Sequence, residues 1–178
     1  MAPDPFDVLG LEPRFDLDPA RVQRAYLERS GVLHPDRAGD ALTASGAASA
    51  DLNAARRALA DPEQRAAALL ARLGGPGRGQ ERSLLEGFLA EMLAVGEHIE
   101  QARAARDAGA LQGWAAWADE RRRGHVDTVA RLFGGLGTPP APGDLTRIRR
   151  ELNAWRYTER LIEQIEAPEG SAGAGGAG

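Results

Sequence analysis

At 178 residues, with no cysteine and a formal charge of −4, the chain is long enough for one medium domain or two small ones and can fold without disulfides. The missing thiols exclude cysteine catalysis and Cys-ligated metal centres. All 22 basic residues are arginine, yet the acidic balance argues against a nucleic-acid binder that relies on phosphate neutralisation.

Ala, Leu, Arg and Glu dominate and β-branched residues are few, a composition that predicts helix nearly throughout. Asp4-Pro5 opens a short helix ending near Gly10, and Asp18-Pro19 opens the next. In both, the Asp carboxylate accepts free first-turn N–H groups, and Pro fits the following position because its missing donor would be unpaired there. Pro35 stops the second helix by biasing the residue before it away from the helical region. A third helix is expected from about Leu42 or Ala47 to Leu59. Asp61-Pro62 opens a fourth, which Gly74-Gly75 ends. Residues 74–82, rich in glycine, read as a linker.

Three longer helices follow. The first is expected from about Leu84 to Arg106, started by a capping box of Ser83 and Glu86. The second spans about Ala110 to Phe133, and the third runs from an Asp144 cap to near Glu166, with a proline-rich loop over 134–143 between them. Residues 168–178, mostly glycine and alanine, cannot bury a core and are expected to be disordered. The reading is all-α: an N-terminal helical hairpin domain over 1–73, the linker, and a C-terminal three-helix bundle over 83–167. No basic-then-apolar leader and no apolar run of membrane-spanning length is present, so a soluble cytoplasmic protein is expected, with no membrane or nucleic-acid partner.

On the first long helix, Leu85, Phe88, Met92, Val95 and Ile99 form one stripe at the 3.6-residue period, the natural core face. Leu89 and Leu93 lie roughly 90–130° from that stripe, and Glu97 continues their line. Two leucines off the core face suggest a partner surface; a core face wide enough to include them is the other reading. Tyr157 likewise lies off the stripe of Leu145, Ile148, Leu152 and Trp155, either on a partner face or half-buried. His125 falls on the apolar side of its helix and is expected to be a hydrogen-bonded, partly buried histidine; His98 and His125 lack further metal ligands at helical spacing. Trp114, Trp117 and Trp155 are expected in the bundle core, and Arg121-Arg122-Arg123 on a solvated face. With no triad, phosphate loop or carboxylate cleft in view, no catalysis, cofactor or metal is assigned to this chain.

His34-Pro35-Asp36 stands between two helices of the N-terminal piece. Pro35 fixes φ and turns the chain, leaving His34 and Asp36 on a loop where the carboxylate suits a charge-assisted bond to a partner arginine. Asp4-Pro5-Phe6-Asp7-Val8-Leu9-Gly10-Leu11 precedes this loop, and Leu52-Asn53-Ala54-Ala55-Arg56-Arg57-Ala58-Leu59-Ala60-Asp61-Pro62 follows it. The succession resembles the J-domain pattern "YxxLGL", helix, "HPD", "INxAYxxLxDPxxR". Gln64-Arg65-Ala66-Ala67-Ala68-Leu69-Leu70-Ala71-Arg72-Leu73-Gly74 is similar to "RAxYLLxLxG" of the HscB-type iron–sulfur co-chaperones. Phe88 to Glu97 resembles their "FLMEQLELRE", and Trp155 to Leu161 their "LRFLDKL".

That resemblance implies a J-domain whose loop docks on a DnaK-type (HscA-like) ATPase and raises its hydrolysis rate, through His34, Pro35 and Asp36 with Arg21, Arg24 and Arg37 beside them. It also implies a bundle face that holds an IscU-type iron–sulfur scaffold through Leu89, Ala90, Leu93, Ala94, Glu97, Gln101 and Tyr157. The chain departs from the pattern at Arg29, an apolar position in relatives, at Gly31, a basic one, at Ala90, where the pattern has Met, and at Gln101, where it has an acid. Two other functions remain open on the same residues: a J-domain co-chaperone for a different client, and a helical assembly protein with a degenerate J-domain and no ATPase partner.

Overall fold

The computed structural model describes residues 3–32, 42–84 and 86–166, and among them helix is the only regular structure. The helices are α1 (Pro5–Leu9), α2 (Pro19–Val32), α3 (Leu42–Ala60), α4 (Pro62–Arg72), α5 (Phe88–Ala104), α6 (Ala108–Gly134) and α7 (Pro142–Glu166). The 168–178 tail lies outside the described residues.

The Asp-Pro starts form as local chemistry dictates. Asp4 accepts the Phe6 N–H at 2.8 Å, Asp18 that of Ala20 at 2.9 Å, and Asp61 that of Gln64 at 2.8 Å. Gly10 ends α1 in the left-handed conformation, φ 61°, where a side chain would be strained. The later helices start differently from the sequence reading. The Ser83–Glu86 capping box does not open α5: the helix begins four residues beyond Leu84, after Gly87 at φ 75°, and the Ser83 carbonyl accepts from Asn153 Nδ2 of α7 at 3.2 Å. Asp107, not singled out from the sequence, caps α6 by accepting the Ala110 N–H at 2.9 Å. Asp144 sits inside the first turn of α7 rather than before it, because the helix already starts at Pro142.

Among the described residues the chain packs as two compact units, one formed by those up to 81 with 129–149 and the other by 82–128 with 150–166. The end of α6 and the start of α7 therefore pack with the N-terminal unit, although the sequence reading groups them with the C-terminal bundle. In the first unit α3 packs against α1, α2 and α4 and buries Phe6, Leu9, Val22, Leu59 and Leu70. Tyr26 of α2 donates to Asn53 Oδ1 of α3 at 3.0 Å, with the Arg56 guanidinium over its ring. Arg72 ties α4 to α1 through Asp4 and Asp7 at 2.6 and 2.9 Å. Phe15 stacks on Phe133, centroids 5.8 Å apart. The 74–82 stretch starts as an ordered strap: the Gly75 N–H donates to the Leu70 carbonyl at 2.9 Å, and Arg78 pairs with the buried Glu63.

In the second unit Phe88, Met92, Val95 and Ile99 of α5 form one buried cluster with Ala154 and Leu161 of α7, with Trp114 and Trp117 packed against it. This is the stripe expected from the 3.6 period; its first member, Leu85, lies outside the described residues. Trp155 is buried in α7 and His125 in α6. His125 has Glu151 Oε1 at 2.6 Å from Nδ1 and Thr158 Oγ1 at 3.0 Å from Nε2, which satisfies both ring nitrogens. The arginine run is not simply a solvated face. Arg122 forks onto Glu159 of α7, and Arg121 reaches Glu91 of α5 at 2.8 Å while lying over the Phe88 and Trp117 rings; Arg123 alone of the three is exposed.

Candidate partner-binding site

Once Phe88, Met92, Val95 and Ile99 turn inward, the helical period leaves Leu89 and Leu93 of α5 facing out. Leu89 is 45% and Leu93 62% exposed, among the few large apolar side chains so placed. Their exposure sets aside the reading in which a wide core face includes them. Ala90, Ala94, Glu97 and Gln101 are exposed on the same helix. Tyr157 of α7 is half-buried, its ring edge-on to Phe88 with centroids 6.2 Å apart.

Between α5 and α7 lies a groove of about 560 Å³. Of the seven expected client residues, Leu89, Leu93, Glu97, Gln101 and Tyr157 line it, while Ala90 and Ala94 are exposed outside it. Sequence reasoning missed the α7 wall of Arg160, Leu161 and Gln164, and on α5 Gly96 and Glu100. The Arg160 guanidinium lies over the Tyr157 ring, 5.7 Å from its centroid. Glu100 accepts from Gln164 Nε2 at 2.7 Å, and Arg103 donates to the Gln164 backbone carbonyl. These bonds hold the far end of the groove together. Its floor is apolar and its rim is charged, a pattern suited to seating an apolar side chain of a protein partner.

His34, Pro35, Asp36 and Arg37 lie outside the described residues. Arg21 and Arg24 are exposed on α2. Arg29 is exposed too, with its guanidinium packed against Gly10. Among the described residues no cluster of three or more His, Asp or Glu side chains is placed to hold a metal, and no helix is long and apolar enough to cross a membrane.

Residues 86–166 match the HSCB C-terminal oligomerisation domain. Over its length the chain is 34% identical to the co-chaperone protein HscB homolog of Burkholderia vietnamiensis, covering 91% of each chain. It is 28% identical to the homolog of Bordetella pertussis, over 94% of this chain and 97% of that one. Its fold is similar to the crystal structure of human co-chaperone protein HscB, at TM-score 0.76 and 22% identity over 92% of this chain and 80% of that one. The chaperone HscB from Vibrio cholerae matches at TM-score 0.72, also at 22% identity, over 92% and 96% of the respective chains.

Proposed function

The chain belongs to the HscB co-chaperone family, and from that we propose that it stimulates the ATPase of a DnaK-type, HscA-like chaperone and delivers to it an IscU-type iron–sulfur scaffold protein. The observation that carries the client half is the exposure of Leu89 and Leu93 beside a formed groove, in the segment that matches the C-terminal family domain. The ATPase half is supported by His34-Pro35-Asp36 in its J-domain context and by Arg21 and Arg24, exposed on the preceding helix. Hydrolysis occurs on the chaperone and the cluster is cargo of the scaffold, so this chain performs recognition rather than chemistry.

The test is a steady-state ATPase assay with a DnaK-type chaperone of the source organism. Each of this chain and the scaffold is added alone, then both together. Stimulation by this chain, raised further by the scaffold, is expected. If no DnaK-type chaperone of the source organism is stimulated, the ATPase half is wrong. A scaffold that neither binds this chain nor adds to stimulation removes the client half.

A further inference from the structure

Gly96 lies in the middle of α5 and lines the groove. A mid-helix glycine weakens a helix relative to alanine, because it loses more backbone freedom on folding. Nothing around Gly96 demands one. Its φ is not left-handed, and an added Cβ would meet only Leu161 Cδ2 at 3.9 Å, an ordinary contact. What the missing side chain does leave is space. Along the groove, α5 and α7 run in the same direction: Phe88 packs on Tyr157, Gly96 faces Leu161, and Glu100 is bonded to Gln164. Gly96 thus stands between the aromatic end and the hydrogen-bonded end, beside the buried Leu161. The pattern "FLMEQLELRE" has Arg at this position, where this chain has no side chain.

The rim supplies a second observation. Glu97 on α5 and Arg160 on α7 carry opposite charges, and neither joins an ion pair among the described residues. Glu100, by contrast, is occupied by the Gln164 amide. We propose that the gap at Gly96 seats one large apolar side chain of the client protein, flanked on the client by a basic residue that meets Glu97 and an acidic residue that meets Arg160. Charge complementarity favours a protein segment with both signs over a purely apolar ligand, which would gain nothing from either rim charge. Gly96 is then a specificity-determining residue, kept at the expense of helix stability for the depth it gives. This inference rests on the client-binding reading above and narrows it to one position.

The experiment compares Gly96→Ala, Gly96→Leu, Arg160→Glu and Leu93→Ala in the full chain. Each is titrated calorimetrically with the metal-free iron–sulfur scaffold protein of the same organism, beside thermal melts. Gly96→Ala should raise Tm by about 2 °C, because it removes a helix glycine, and still weaken scaffold binding by roughly threefold. Gly96→Leu should weaken it at least tenfold, equivalent to ~1.4 kcal/mol, with helix content unchanged. Arg160→Glu should weaken it about threefold, more at low salt than at high. Wild-type affinity in both Gly96 variants, with loss in Leu93→Ala, would overturn the Gly96 seat while leaving the client face in place. Wild-type affinity in all four would overturn the client reading itself. Sedimentation of the same variants separates the remaining occupant: if wild type self-associates and Gly96→Leu abolishes that without touching scaffold affinity, the gap receives a second copy of this chain and the proposal falls.

Discussion

Arg122 grips Glu159 through both carboxylate oxygens, Nε to Oε1 at 2.8 Å and Nη2 to Oε2 at 2.6 Å, and so ties α6 to α7. Trp155 Nε1 adds a third donor to the same carboxylate at 2.7 Å. A paired fork of this kind is among the stronger side-chain interactions, and its geometry is shared by arginine alone.

The first prediction concerns pH. Burial pushes the Glu159 carboxyl up, but the bonds from Arg122 and Trp155 outweigh it and hold the group below its ordinary value of 4.5. A carboxylate with a depressed folded-state pKa contributes stability that is complete above the unfolded value. That contribution starts to fade as pH falls through about 4.5 and is gone below the folded-state value. Glu159→Gln should cost about 1–2 kcal/mol at neutral pH. Melts from pH 7 down to pH 3 should bring wild type and variant together in the acid limb; parallel curves would deny the fork its electrostatic share.

Asp36→Asn removes one charge from the His34-Pro35-Asp36 motif and keeps the side-chain size, so stability is expected to move by only ~0.5 kcal/mol. Stimulation of the partner ATPase should be lost, while circular dichroism shows the same helix content. A variant that stimulates like wild type would contradict the J-domain assignment of activity.

Gly31 is exposed on α2 and has open space where a side chain would go. Gly31→Arg restores a basic position of the pattern and replaces a poor helix former. ATPase stimulation is expected to rise at low salt, with the gain shrinking as ionic strength screens the contact. An equal gain at high salt would point to helix stabilisation instead of charge.

Leu89→Ala with Leu93→Ala trims two outward-facing side chains, 45% and 62% exposed. A buried Leu→Ala change costs about 2–5 kcal/mol, whereas an exposed one costs far less. The double variant should melt within a few degrees of wild type and stimulate the ATPase when assayed without scaffold. Scaffold affinity should fall at least tenfold, ~1.4 kcal/mol. Tyr157→Ala should differ by losing stability as well, because its ring also packs on Phe88. Differential scanning calorimetry and a scaffold titration read both quantities.

Features set by neighbours in sequence were legible in advance. Asp4, Asp18 and Asp61 each precede proline, and a carboxylate one residue before that ring caps a helix whatever lies around it. The inward stripe of α5 and the outward pair Leu89 and Leu93 follow from the helical period alone. Where a distant partner decides, sequence reasoning stopped short. Ser83 looks like a cap, yet its carbonyl serves Asn153, seventy positions along the chain. Arg121 and Arg122 read as solvated because Glu91 and Glu159 come from other helices. The groove's α7 wall was invisible for the same reason: Arg160, Leu161 and Gln164 meet α5 only through the fold.

The packing of residues 129–149 with the N-terminal unit bears on how the polypeptide is made. Phe15 takes its stacking partner, Phe133, from more than a hundred positions downstream. A ribosome that has released only the J-domain sequence has therefore released an incomplete unit, with one aromatic face bare until the last quarter of translation. The same holds for a recombinant fragment cut at the glycine-rich strap, which would carry that bare ring permanently. Each unit is assembled from two stretches of chain, so neither is complete until part of α7 has been made.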